Sequence, residues 1–483
     1  ERVGERLLDM KRRITTISLA LMGLCGAFTQ AKVQLPAFFS DGMVMQQQAT
    51  ANLWGTATPR KTVTLTTGWD GKTYRATADT QGKWNMSVTT PPAGGPYSLT
   101  FSDGELTVLN NILIGELWIC SGQSNMEMPM KGYKNQPIEG ADMDILRSTN
   151  PSLRLFTVKR HSTLLPQYDV TGTWNEAMPT TVREFSATAY YFGRLLNELL
   201  DVPVGLIVTA WGGSAAEAWM TEEMLRAFPE VRIPRTDADI TSPNRTPTTL
   251  YNGMLHPLIG ITMRGVIWYQ GEDNTNRPHS YADMFTTLIN GWRAAWQQGD
   301  FPFYYCQIAP YDYALITAPG QEPVQSALIR EAQSQVEHRV PHTGMAVLLD
   351  AGMEKGIHPA KKRLAGERLG LLALTKTYGI EGVNGESPYY KSMEIQGDTV
   401  IVSFGRADMW ISGKECFESK LFSVAGEDRI FHPAKAWIVR SKMYVRSEKV
   451  PHPVAVRYAF DNYVEGDLFC GGLPLSSFRS DNW

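Results

Sequence analysis

Between Ile112 and about Tyr378 the chain is written as near-continuous apolar runs, Leu117–Cys120, Val204–Thr209, Val266–Tyr269, Phe303–Ile308 and Met345–Leu349, separated by amphipathic stretches. A strand that is apolar on both faces must be covered on both. Strand–helix alternation supplies that cover, so the pattern restricts the region to a parallel sheet flanked by helices. The clearest helix places Tyr281, Met284, Phe285, Leu288, Trp292 and Trp296 at helical spacing, and a second runs from about Glu184 to Leu200.

The flanks read differently. From Lys32 to about Asn110, short alternating runs such as Thr62-Val63-Thr64-Leu65-Thr66 are punctuated by turn residues such as Asp70-Gly71, the pattern of an all-β module. After Tyr378 short strands return without helical period. We therefore expect a β-sandwich-like domain over 32–110, an α/β catalytic domain over 111–380 and a β region over 381–483. A chain of 483 residues exceeds the roughly 250–300 at which single cores stop growing.

The first 31 residues are expected to be an export signal with a short upstream extension. Met10-Lys11-Arg12-Arg13 is basic, Ile14 to Phe28 is largely apolar, and Thr29-Gln30-Ala31 suits cleavage. The expected location is periplasmic or extracellular. The apolar part falls short of the roughly 20 residues a spanning helix needs, so no membrane span is expected. Lys plus Arg total 46 against 49 Asp plus Glu, with no long basic block, which argues against a nucleic-acid partner. Cys120, Cys306, Cys416 and Cys470 are too few and scattered to frame a fold; the first two read as core residues, and pairing of Cys416 with Cys470 stays open. No metal-ligand spacing appears among Cys and the eight His, and neither metal nor cofactor is expected.

In a parallel α/β sheet, ligands bind outside the carboxyl ends of the strands. Those ends carry Gly122-Gln123-Ser124-Asn125, Thr209-Ala210-Trp211-Gly212-Gly213-Ser214, Gln270-Gly271-Glu272-Asp273-Asn274, and Asp350 followed by His358. A hydroxyl becomes a nucleophile when a base takes its proton and donors stabilise the oxyanion. Ser124 fits the nucleophile, its own N–H and that of Gly213 or Gly212 fit the oxyanion donors, and Asn274 is a third. His358, ahead of Pro359 and a helix read from Lys361 to Leu372, sits at a positive dipole end that suits a neutral base. Gln123, Gln270 and Glu272 are expected to contact substrate, Glu272 alternatively anchoring a loop. Trp211, Tyr269 and Trp410 are candidate sugar-stacking rings, whereas Met126, Met128 and Met130 read as packing residues. Taken singly these are ordinary turn features; their joint placement at successive strand ends carries the reading.

These blocks, with Trp268-Tyr269-Gln270-Gly271-Glu272, Ile357-His358-Pro359, Arg330-Glu331-Ala332-Gln333 and Ala425-Gly426-Glu427-Asp428, resemble the sialate O-acetylesterase family of carbohydrate esterases among the SGNH hydrolases. The resemblance implies a flavodoxin-like three-layer α/β domain with β-rich additions, no metal, and hydrolysis of sugar O-acetyl groups through an acyl-enzyme. Under it, Ser124 and His358 carry over as nucleophile and base. Many SGNH relatives place an Asp two or three residues before the histidine, where this chain has Gly356 and Lys355. The orienting acid is therefore expected to be Glu354, with Asp350, a backbone carbonyl or a dyad as alternatives. Acetylated sialic acids are the foremost substrates implied; acetylxylan and an inactive sugar-binding protein are the rivals.

Overall fold

The computed structural model describes residues 32–483; the export signal expected over 1–31 lies outside them. Two compact units emerge. One comprises Trp54–Met86 and Ser98–Leu109 with the described residues before Pro36, and the other comprises Pro36–Leu53, Ser87–Tyr97 and Asn110–Trp483. In the first, Thr62–Thr67 pairs antiparallel with Thr73–Thr77 and with Leu99 to Ser102. Alternate residues Val63 and Leu65 are buried, and Trp84 packs on Phe101 at 5.8 Å.

The second unit is built on a mixed sheet flanked by helices. Its strands are β1 (Leu106–Gly122), of which residues 110–122 lie in this unit, β2 (Asn150–Thr157), β3 (Trp174–Ala177), β4 (Val204–Ala210), β5 (Gly265–Tyr269), β6 (Phe303–Cys306) and β7 (Thr343–Ala346). They lie in the order β7-β6-β5-β1-β4-β2-β3. All neighbours run parallel except β3, which is antiparallel to β2 at the edge. Strands β4, β5, β6 and β7 are buried at every residue, as expected of strands covered on both faces.

The main helices are α1 (Ser124–Glu127), α2 (Ala187–Leu200), α3 (Pro278–Trp296), α4 (Ser326–Arg339) and α5 (Lys362–Leu372). Helix α2 starts where Ser186 Oγ accepts from the Ala189 amide at 3.1 Å, and α3 starts on Pro278, which has no N–H to leave unpaired. On one face of the sheet, Trp118, Cys120, Leu206, Val208, Ile267 and Tyr269 pack with α2 and α5. Gly366 of α5 lets the two helices meet closely, since a Cβ there would sit 2.5 Å from Tyr191 Cβ. On the other face Trp268 packs on Phe285 at 6.0 Å and on Trp292 at 5.6 Å, so the helical stripe read from the sequence is the core face of α3. Full burial of each such ring contributes about 1.5–3 kcal/mol.

The chain from Tyr389 onward forms antiparallel sheets, the largest holding Tyr389–Gln396, Thr399–Gly405, Lys442–Arg446, Lys435–Val439 and Glu418–Ser419. Arg330 of α4, fully buried, anchors this region by donating to Ser477 Oγ at 3.0 Å and to the Asp461 carbonyl. Cys120 and Cys306 are buried in strands and Met126, Met128 and Met130 in the core, as read; Cys416 is exposed and Cys470 buried, both as free thiols. Among the described residues no helix is long and apolar enough to cross a membrane.

Candidate active site

Strand order places the site. The register sets Ala210, Gly122 and Tyr269 side by side as the last residues of β4, β1 and β5. After β4 the chain crosses to the other side of β1, so these ends border a topological switch point, where a crevice opens. Three of the sequence blocks therefore leave the sheet together.

At the end of β1, Gly122 has φ +133°, and a Cβ would lie 2.2 Å from the Tyr269 carbonyl oxygen; only glycine fits. The chain then turns into α1, whose first residue is the half-buried Ser124. Past the end of β4, Gly212 lies against it, a Cβ there falling 3.2 Å from Ser124 Cβ, and Gly213 follows at φ +66°. The Gly212 N–H donates to Glu127 Oε2 at 2.7 Å, and Asn244 Nδ2 holds the Gly212 and Gly213 carbonyls at 2.7 and 3.0 Å. Among the described residues no hydrogen bond engages the N–H groups of Ser124 or Gly213. These are donors free to meet a developing oxyanion, and Gly212, the alternative to Gly213, is already committed.

His358 reaches the same place from the far end of the chain. The Asn125 Nδ2 donates to the Ile357 carbonyl at 3.1 Å, and the Tyr133 hydroxyl donates to the Ser124 carbonyl at 3.2 Å while its ring packs on the His358 imidazole at 5.1 Å. Asn125 and Tyr133 thus bring the Ser124 and His358 loops together at the same strand-end rim. The imidazole has its pKa lowered to about 4, first by burial and second by the nearby Lys362 ammonium, so it is neutral at physiological pH. The direction matches expectation but the cause does not. Helix α5 begins at Lys362, and His358 lies in the preceding loop rather than on its first turn.

Beneath the pair lies a buried polar relay. Lys362 Nζ donates to Asn125 Oδ1 at 2.8 Å and to the Pro359 carbonyl at 2.7 Å, and Asn125 Nδ2 donates to Glu272 Oε1 at 2.5 Å. Burial drives the Lys362 pKa down, to about 7, and that of Glu272 up, while each charge favours the other.

Several expected site residues are in the scaffold instead. Gln123 is buried, and its Oε1 accepts from the Gly271 and Asp273 amides at 3.2 and 3.3 Å, latching two loops together. Gln270 is fully buried between Ser214, Asn274 and Tyr281. Glu272 is also buried, on Asn125, as the loop anchor of the alternative reading. All three are buried and hydrogen-bonded between loops at the strand ends. Asn274, 1% exposed, donates to Glu217 Oε2 at 3.0 Å and accepts from the Ala216 amide, which leaves one N–H uncommitted. Tyr269 is fully buried and is no sugar platform; Trp211 is half-buried under the Arg160 guanidinium, and Trp410 is exposed. Glu354 is exposed, with only its backbone carbonyl engaged, by Asp312, and Asp350 is held by Arg368 at 2.6 and 2.7 Å. Neither acid is bonded to His358, whose Nδ1 instead lies 2.6 Å from Gln136 Oε1. Sequence reasoning missed Gln136, Tyr133 and Lys362. The one local signal was Gly132, whose φ of +77° marks the turn that carries Tyr133 and Gln136.

A rim of an α/β sheet that offers a hydroxyl, a neutral imidazole and free backbone amides has the equipment of an ester hydrolase. Residues 114–358 match the family described as carbohydrate esterase, sialic acid-specific acetylesterase, and the chain belongs to that family. The sialate O-acetylesterase of Rattus norvegicus is 28% identical over 416 residues, covering 74% of this chain and 76% of that protein. That of Homo sapiens is 28% identical over 393 residues, covering 74% of each. Among solved structures, a carbohydrate acetylesterase from Xanthomonas citri is 33% identical with a TM-score of 0.85, covering 93% of this chain and all of that one.

Proposed function

We propose that the chain is an exported serine esterase of the SGNH type, flavodoxin-like in its catalytic layers, that removes O-acetyl groups from sugars, acetylated sialic acids foremost. The observation that supports this is the tie between the Ser124 and His358 loops through Asn125 and Tyr133, with the Ser124 and Gly213 amides left without a hydrogen-bond partner among the described residues. Ser124 Oγ attacks the acetyl carbonyl as the His358 imidazole takes its proton. The carbonyl oxygen, now negative, is met by the two amides and by the remaining Asn274 N–H where it reaches; each such donor lowers the barrier by about 3 kcal/mol. His358 returns the proton to the departing sugar hydroxyl, which leaves acetate esterified to Ser124. The imidazole then deprotonates water, which attacks the acetyl-enzyme, and gives that proton to Ser124 Oγ as it leaves, releasing acetate.

A neutral acetylated polysaccharide such as acetylxylan is the second reading, and one observation favours it. Arg160 and Arg245, which flank the Gly212–Gly213 turn, are each paired with a carboxylate already, Glu127 at 2.6 Å and Asp273 at 2.6 Å. A sialate carboxylate would have to compete for them. Acetate release across a panel of O-acetylated sialosides and acetylated xylo-oligosaccharides, with Ser124→Ala as control, tests both readings. Turnover by Ser124→Ala at the wild-type rate overturns the nucleophile, and glycan binding without acetate release turns the protein into a sugar-binding one.

A further inference from the structure

We propose that Gln136 takes the place of the orienting acid: its amide oxygen accepts the Nδ1–H of His358 and fixes the imidazole in the tautomer whose unprotonated Nε2 is the base for Ser124. This rests on the esterase reading above and deepens it.

The geometry has three parts. First, Gln136 Oε1 lies 2.6 Å from His358 Nδ1, while Glu354 is exposed and Asp350 is bound by Arg368. Second, Gln136 sits on a locked turn. Tyr133 and Gln136 exchange both backbone hydrogen bonds, at 3.1 and 3.0 Å, and Gly132, at φ +77°, packs so closely that a Cβ would meet the Gln136 carbonyl at 2.3 Å. The turn thus presents Gln136 to the ring nitrogen and Tyr133 edge-to-face to the imidazole from one piece. Third, the same segment is tied to the histidine loop by the Glu139 amide, which donates to the Ala360 carbonyl at 3.0 Å.

A neutral holder has a chemical consequence. A triad carboxylate both selects the tautomer and stabilises the imidazolium that forms during attack. An amide oxygen selects the tautomer without a full negative charge. The charged and titratable groups around the ring are Lys362 from α5, Tyr133 from the turn with Glu127 and Arg160 near it, Glu272 behind Asn125, and Glu354 and Asp350 on the ring's own loop. None of those carboxylates is bonded to the ring, so the site works with a weakly basic imidazole and keeps it unprotonated in mildly acid conditions.

The test is steady-state hydrolysis of a chromogenic acetate ester over a pH series by wild type, Gln136→Ala, Gln136→Glu, Glu354→Ala and Ser124→Ala, with thermal midpoints recorded. Gln136→Ala should lower kcat about tenfold or more with KM little changed. Gln136→Glu should restore much of the rate and move the acid limb of the profile up by about one pH unit or more, because a carboxylate favours the imidazolium. Glu354→Ala should stay near wild type. In wild-type protein labelled with ¹⁵N-histidine, the His358 resonances should report protonation at Nδ1. A rate for Gln136→Ala equal to wild type, a loss on Glu354→Ala instead, or a signal from the Nε2-protonated tautomer overturns the proposal. Activity of Ser124→Ala overturns the underlying esterase reading separately.

Discussion

The Asn125 side chain donates to the Ile357 carbonyl at 3.1 Å, so the residue after the candidate nucleophile is bonded directly to the residue before the candidate base. Asn125 is 1% exposed and also joins Lys362 to Glu272. One neutral amide thus bonds Lys362, one oxygen of Glu272 and a loop carbonyl together.

Asn125→Ala should therefore be costly. It strands the Lys362 ammonium and the Glu272 carboxylate without their mediator, and leaving buried charged groups unpaired costs about 3–5 kcal/mol. The denaturant midpoint should drop with the slope of the transition unchanged. Acetate release should fall in the molecules that remain folded, because the Ser124 and His358 loops are no longer tied. A midpoint equal to wild type would show that the relay does not hold the cleft.

The pH dependence has a fixed sign. Neutral His358 is the working form, and burial and then Lys362 hold its pKa down to about 4. Activity should persist well below the ordinary histidine value of 6.5 and fall only as pH drops through about 4. Lys362→Met removes the nearby cation, raises the histidine pKa and moves the acid limb to higher pH. The profile of kcat/KM for the two proteins measures the shift; a limb that moves down contradicts the assignment.

What could be read from the sequence was what periodicity and strand ends encode. The stripe from Tyr281 to Trp296 emerged as the core face of α3, and Ser124 and His358 came to one rim because strands that are apolar throughout must run inside a covered sheet. What stayed hidden depended on contacts far apart in sequence: Gln136 to His358 spans 222 residues, Lys362 to Asn125 spans 237, and Asn125 to Glu272 spans 147. Gln123 and Gln270 lie at the strand ends that the sequence marks, and there they join loops. A polar side chain near a cleft looks alike in sequence whether it faces substrate or joins two loops from below. Glu354 was favoured for its nearness in the chain, whereas the backbone turns its side chain to solvent.

Gly122 offers a test of the strand-end geometry itself. Gly122→Ala puts a Cβ 2.2 Å from the Tyr269 carbonyl at a φ of +133°, where neither the neighbouring strand nor the turn can yield. The expected outcome is loss of soluble folded protein, or destabilisation by about 3 kcal/mol or more. Gly397→Ala is the matched comparison, with φ +64° and nothing within 4 Å of the added Cβ. That change should cost only about 1 kcal/mol. Equal midpoints for the two variants in denaturant unfolding would show that the tight approach of β1 to β5 does not shape the nucleophile turn.

Glu127 separates positioning from charge. Its carboxylate holds the Gly212 amide at 2.7 Å and grips Arg160 at 2.6 and 2.7 Å, with the guanidinium 5.4 Å from the Trp211 ring centroid. Glu127→Gln keeps an oxygen for the Gly212 N–H but surrenders the ion pair. Because Arg160 is half exposed, that pair is worth about 1 kcal/mol or less, and kcat/KM on a neutral acetate ester should change by about threefold at most. Glu127→Ala frees the Gly212–Gly213 turn and should lower kcat about tenfold or more if the proposed Gly213 oxyanion donor is misplaced, since such a donor then forfeits a large part of its stabilisation. On an acetylated sialoside the Glu127→Gln protein has a second expected effect: with Arg160 released from its carboxylate partner, KM should fall if the substrate carboxylate reaches that guanidinium. Equal losses of kcat in the Glu127→Gln and Glu127→Ala proteins would mean that the charge of Glu127, rather than its hold on the glycine turn, governs the site.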